Sequence, residues 1–213
     1  MNTHPKTLFI SGIDTDAGKT YVTAAWARHL MSQGLKVITL KFVQTGCTEW
    51  SEDIETHRKL MGTGLFPEDL DHTTAPLIFT HPCSAQLAAR LDGREIDLSL
   101  VDAAVEKLSA RYEVVLIEGA GGLMVPLTDT FLTIDYARER NMPVALVTNG
   151  VLGSINHTIL SLEALAARHM DLRYVFYNTF FDSDRLIAED TFGFISRYLS
   201  RNFPATELVR IDS

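Results

Sequence analysis

Cysteine and basic charge are in short supply in this chain, and each shortage removes a class of protein. Only Cys47 and Cys83 occur among 213 residues, with no Cys-x-x-Cys spacing. That usage excludes a disulfide-stapled secreted scaffold and fits free thiols in a reducing compartment. Lys and Arg number 19 against 27 Asp and Glu, a net charge of -8. No Lys- or Arg-rich run offers a phosphate-backbone footprint, so nucleic acid is not expected as a partner. Long apolar runs are missing too. Nothing approaches the roughly 20 residues of a membrane span, and the first apolar stretch, 8–10, is too short for a signal-peptide core. A cytoplasmic protein with no membrane partner is expected.

What is present is an ordinary globular composition, 46% hydrophobic and 22% charged, which excludes disorder, collagen and coiled coil. A chain of this size buries about 70% of its unfolded surface without a metal or disulfide staple. No repeat or flexible linker divides it, so residues 1–213 are expected to form a single domain.

Apolar, β-branched segments at 7–11, 36–40, 114–117, 144–148 and 174–177 read as buried parallel strands. Helical patterns at 19–33, 54–61, 84–91, 99–110, 131–140, 155–169 and 184–200 alternate with them. Gly34 and Gly62 stand where helix stops belong. Residues 63–82 show little periodicity. The alternation predicts an α/β fold, a doubly wound, mostly parallel sheet with helices on both faces. Ligands of such folds sit beyond the carboxyl ends of the strands.

The first strand runs into Gly12-Ile13-Asp14-Thr15-Asp16-Ala17-Gly18-Lys19-Thr20 and then a helix. Strand, glycine loop, Lys-Thr and helix form the context of a phosphate-binding loop. The glycines let N–H groups turn inward, Lys19 reaches the terminal phosphates and the Thr20 hydroxyl meets Mg²⁺. Five residues separate Gly12 from Gly18, one more than the common pattern. Glu118 follows a buried strand and precedes Gly119-Ala120-Gly121-Gly122, which suits a metal-binding carboxylate. From position alone, Asp53 reads as a helix cap and Lys41 as a snorkelling surface lysine. The seven histidines have no zinc-site spacing and read as structural or surface residues.

Four motifs in this order resemble the dethiobiotin synthetase family: Gly12-x-Asp14-Thr15-x-x-Gly18-Lys19-Thr20, Lys41-x-Val43-x-Thr45-Gly46, Glu118-Gly-Ala-Gly-Gly122 and Gly153-Ser154-Ile155-Asn156-His157. The resemblance spans roughly residues 7–180 and implies a P-loop NTPase-like fold and a ligase of biotin biosynthesis. That enzyme would form the ureido ring of dethiobiotin from 7,8-diaminononanoate, CO₂ (or bicarbonate) and ATP, releasing ADP and phosphate. It implies Lys19 and Lys41 as catalytic cations and Thr20, Asp53 and Glu118 as ligands of Mg²⁺. ATP contacts would come from Asp16, Ala17, Gly18, Lys19, Thr20, Tyr21, Asp53, Glu118, Gly119, Ala120, Gly121 and Asn178. Thr15 and Thr45 would line the diamine and carbamate site, and Gly153, Ser154, Ile155 and Asn156 would bind the substrate carboxylate from a second subunit, making a homodimer. Taken singly, Ser154 also reads as an ordinary helix cap and Asn178 as a strand-ending residue. Phe42 and Ala85-Gln86 depart from the family's usual Pro and Pro-His, and the segment 203–210 matches its nucleotide-base motif weakly.

The competing reading is a regulatory P-loop ATPase of the septum-site or partitioning type. Such proteins carry a second lysine at the start of the loop, where this chain has Ser11 and Gly12. An amidoligase with a glutaminase domain is the other, and the chain has no room for that domain.

Overall fold

Alternation along β1 (Thr7–Gly12) decides which layer each side chain joins. Leu8 and Ile10 point to one face of the sheet, where they pack with Val22, Trp26, Ala27 and Leu30 of α1 (Lys19–Ser32). Phe9 points to the other face and joins a larger core with Leu108, Tyr136 and Leu162. The period of two thus feeds two hydrophobic layers, one on each side of a single sheet. The computed structural model describes residues 4–212.

Six strands form that sheet in the order β2-β5-β1-β6-β7-β8, every pair parallel. They are β1, β2 (Val37–Lys41), β5 (Val114–Gly122), β6 (Val144–Asn149), β7 (Leu172–Asn178) and β8 (Glu207–Ile211). A second sheet of two short strands, β3 (Gln44–Thr45) and β4 (Ile78–Phe79), lies beside the carboxyl end of β2. The remaining helices are α2 (Glu52–Met61), α3 (Pro67–Leu70), α4 (Ala85–Leu91), α5 (Leu98–Ser109), α6 (Thr133–Glu139), α7 (Ser154–Ala166) and α8 (Arg185–Asn202). From β1 the chain moves to β2 on one side and, after β5, to β6 on the other. The topological switch point is therefore at the carboxyl end of β1, where the glycine loop begins.

All five expected strands are present, and the helices fall within a few residues of their expected bounds. Gly34 (φ 87°) and Gly62 (φ 72°) do end α1 and α2 in left-handed backbone. The short strand β3 and three other elements were not expected. The strand β8 was not anticipated because its pattern is half exposed at a sheet edge. The segment 63–82, read as irregular, holds α3 and β4. Here Arg58 makes a buried ion pair at 2.8 Å with Asp69, which also accepts from the Phe66 N–H at 2.7 Å and so caps α3.

Candidate active site

Gly18 is the N-cap of α1 in left-handed backbone, φ 88°. A Cβ there would lie 2.1 Å from Asn178 Nδ2, so only glycine lets the loop close against the end of β7. That amide donates to the Ala17 carbonyl at 3.3 Å, while Asn178 Oδ1 accepts from Phe180 N–H. Asn178 thus ends its strand and also braces the loop. Lys19 is buried, and its ammonium donates to the carbonyls of Asp14 at 3.0 Å and Thr15 at 2.8 Å, folding back along the loop. Burial and, after it, the neighbouring Lys41 ammonium lower its pKa to about 8.

Lys41 ends β2 and is the ladder partner of Glu118 on β5. In register on adjacent strands, their side chains rise from the same face. The Lys41 ammonium lies 2.8 Å from Glu118 Oε1 and 2.5 Å from Asp53 Oδ2. The Thr20 hydroxyl reaches the same two carboxylates, at 2.9 Å to Glu118 and 3.1 Å to Asp53. Burial opposes ionisation of both Lys41 and Glu118. Their mutual attraction prevails, raising the Lys41 pKa and, with the His57 hydrogen bond, holding Glu118 far below the usual carboxylate range. Lys41 is therefore no snorkelling surface residue. Asp53 is not the cap of α2 either; Ser51 is, accepting from Ile54 N–H at 3.2 Å. Freed from capping, Asp53 turns inward from the first turn of the helix.

A cleft of about 420 Å³ opens over this cluster. Thr15, Asp16, Gly18, Lys19, Thr20, Lys41, Thr45, Asp53, Glu118, Ala120 and Gly121 line it. The other expected ATP contacts stand behind or beside it. Ala17 is buried, a Cβ at Gly119 would lie 3.2 Å from the Phe9 ring, and the Tyr21 hydroxyl donates to the Asp212 carbonyl at 2.8 Å. Gly153 and Ser154 line an adjoining hollow of about 300 Å³ with Ile13, Asp14, Asp16 and His157, and Asp16 and Phe181 border both cavities. Gly153 is the N-cap of α7, whereas Ser154 is buried with its hydroxyl on the Asn149 carbonyl at 2.7 Å, so it is not the cap. Ile155 is half-buried and Asn156 exposed on the first turn. Outside the expected set, His57 Nε2 lies 2.6 Å from Glu118 Oε2 with the imidazole fully buried. Its i, i+4 spacing from Asp53 was the available sign.

Phe42 donates its backbone N–H to the Glu118 carbonyl at 2.8 Å, a bond that proline in this place would lack. Its ring packs 4.7 Å from Tyr136 and 5.5 Å from Phe9. Gln86 donates to Asp129 at 2.6 Å.

The oxygen set Thr20, Asp53 and Glu118 matches a hard divalent cation that keeps waters and phosphate oxygens as its other ligands. The buried Lys41 ammonium between the two carboxylates marks this spot as one built for positive charge. Phosphate groups, a cation and two lysines can be gathered here.

A family model described as an AAA domain matches residues 6–202. The ATP-dependent dethiobiotin synthetase BioD 2 of Pasteurella multocida strain Pm70 is 45% identical over 201 residues, covering 94% of this chain and 94% of that protein. The chain belongs to the dethiobiotin synthetase family. The ATP-dependent dethiobiotin synthetase BioD of Chlorobaculum tepidum is 48% identical over 194 residues, 91% of this chain and 81% of its own. The BioD 2 protein of Haemophilus influenzae strain Rd is 47% identical over 86% and 96%. Among solved structures, the chloroplast FtsY of Physcomitrella patens has a TM-score of 0.56 at 17% identity, over 94% of this chain and 57% of that one. The FtsY of Thermotoga maritima gives 0.55 at 12%, over 100% and 64%. This chain spans less than two thirds of those structures, and the likeness establishes the α/β fold alone.

Proposed function

We propose that the cleft is the site of ATP-dependent dethiobiotin synthesis from 7,8-diaminononanoate, a ligase reaction of biotin biosynthesis. The observation that carries this reading is the joining of Lys41, Asp53, Glu118 and Thr20 beside the phosphate loop, in a chain 45% identical to a named synthetase. One substrate amine adds CO₂ and loses a proton to give a carbamate. A carbamate oxygen attacks the γ-phosphorus of ATP and ADP departs, leaving a carbamic-phosphoric anhydride. The second amine attacks the carbonyl carbon, phosphate leaves and the ring closes with loss of a proton.

No step needs a protein nucleophile; what the chain supplies is position and charge. Lys19 leaves the loop carbonyls for the β- and γ-phosphates, and Lys41 faces the oxygens that gain negative charge on transfer. Thr20, Asp53 and Glu118 would hold Mg²⁺, which when bound neutralises phosphate oxygens. Thr15 and Thr45 border the diamine end.

A homodimer is part of the proposal. The hollow at Gly153 and Ser154 adjoins the phosphate cleft across Asp16 and Phe181, and the helix start there suits a carboxylate. At its rim Val151 and Leu152 are exposed apolar side chains that a second copy would cover. A cytoplasmic location, expected from the sparse cysteines, belongs to the same reading.

The test is phosphate release from ATP with Mg²⁺ and bicarbonate, with and without 7,8-diaminononanoate. Release that depends on the diamine and yields dethiobiotin supports the reading. Equal release without diamine would overturn it in favour of a regulatory ATPase.

A further inference from the structure

Helix α2 brings two side chains to the Lys41–Glu118 pair. Asp53 and His57 stand one turn apart and project from one face. Asp53 reaches Thr20 and Lys41, and His57 reaches Glu118. The helix is indexed to the sheet by the residue that follows His57. Arg58 donates to Thr39 Oγ1 at 2.7 Å and to Asp69 Oδ1 and Oδ2 at 2.8 and 2.9 Å. Thr39 lies on β2, two residues before Lys41, so α2 and the strand carrying Lys41 are held in fixed relation.

The two oxygens of Glu118 have divided tasks. Oε1 accepts from the Thr20 hydroxyl at 2.9 Å and the Lys41 ammonium at 2.8 Å, facing the cleft. Oε2 meets His57 Nε2 at 2.6 Å, and His57 Nδ1 is buried with no partner among the described residues. These contacts select a tautomer. A bare lone pair at Nε2 would repel the carboxylate and leave an orphaned N–H at Nδ1, which is costly in the interior. A proton on Nε2 satisfies the carboxylate and leaves only a lone pair behind.

We infer that His57 is a positioning residue, whose Nε2–H holds Glu118 Oε2 so that Oε1 alone is turned to Thr20 and the cation. The inference rests on the proposed assignment of Glu118 to Mg²⁺. Without this donor the carboxylate is free to rotate about its terminal torsion and close both oxygens on the Lys41 ammonium. Partners of this kind typically change metal affinity by about 10–100-fold when removed.

Three measurements test it. In ¹⁵N-histidine-labelled protein without nucleotide, long-range ¹H–¹⁵N spectra assigned by comparison with His57→Gln should find the His57 proton on Nε2; a proton on Nδ1 alone overturns the inference. Calorimetric titration of Mg²⁺ into the ADP complex should be about 10–100-fold weaker for His57→Leu. His57→Gln, whose amide still donates, should recover most of that loss. ADP binding without Mg²⁺ should fall far less than Mg²⁺ binding in both, since among the described residues His57 reaches the phosphate loop only through Glu118. Wild-type Mg²⁺ affinity in His57→Leu, or equal loss in both variants in step with their melting temperatures, would reduce His57 to packing and overturn the inference. None of these readouts needs the diamine. A failure of diamine-dependent phosphate release would therefore strike the proposed reaction and leave the His57 result standing.

Discussion

Lys41 and Glu118 occupy the same rung of the β2–β5 ladder, and their side chains meet at 2.8 Å in the interior, at the mouth of the phosphate loop. Each is the other's compensation for lost hydration, and Asp53 closes the group at 2.5 Å from the ammonium.

Lys41→Ala should lower turnover by roughly a hundred- to thousandfold, the loss of one preorganised cationic donor. Because it strands two carboxylates, it should also destabilise the fold by about 3–5 kcal/mol. Lys41→Met combined with Glu118→Gln should regain much of the stability and none of the turnover. Denaturant unfolding alongside product formation checks both. Full stability in the single variant would contradict the pairing.

Lys19 gives a pH signature. Its folded pKa is lowered to about 8 by burial and then Lys41, against about 10.4 unfolded. Between these values the unfolded chain holds a proton that the folded chain lacks, so this group makes stability rise with pH through that window. The reverse holds for nucleotide, whose phosphates favour charged Lys19. ADP binding should take up close to one proton at about pH 9 and little at pH 7. Calorimetry in buffers of different ionisation enthalpy measures this, and no difference between the two pH values would refute it.

Gly18→Ala meets two obstacles, a left-handed φ of 88° and a contact at 2.1 Å with Asn178. The backbone strain alone costs about 1–3 kcal/mol. Adding Asn178→Ala should remove the clash but not the strain, so the double variant should be more stable than Gly18→Ala and weaker than wild type in nucleotide binding. Gly34→Ala, with φ 87° and open space around it, should show only the strain.

Shared sites can be tested by mixing two inactive proteins. Ser154 is buried and bonded to Asn149, so the lesion for the carboxylate site belongs on the exposed Asn156, as Asn156→Glu. Paired with Lys19→Ala, it gives heterodimers with one doubly damaged and one intact site. Activity should return on mixing. Its absence, with heterodimers confirmed by mass, would locate the carboxylate contact within one subunit.

The phosphate loop was legible because its chemistry is local: a strand, two glycines, Lys19 and Thr20 lie next to one another in sequence. Glu118 was legible for the same reason, standing between an apolar strand and glycines. Asp53 and Lys41 were not legible from position, since nothing nearby in sequence says that α2 folds its first turn onto the end of β2. The family resemblance supplied their candidacy, and the structure brings both side chains into one cluster with Glu118. His57 escaped both routes, because its partner is 61 residues away and a lone histidine on a helix has many uses. The edge strand β8 was lost because an exposed edge does not need a continuous apolar run.

The central position of β1 bears on how the protein is made. Leu8 pairs with Leu116 on one side and Phe9 with Val144 on the other, so β1 waits for neighbours more than a hundred residues downstream. At a translation rate of about 5–20 residues per second, the nascent phosphate loop spends many seconds with neither flanking strand available. Such long-range pairing slows folding. Ribosome-bound chains stalled before β6 should therefore fail to retain nucleotide even though every residue of the glycine loop, Lys41, Asp53 and Glu118 has already been made.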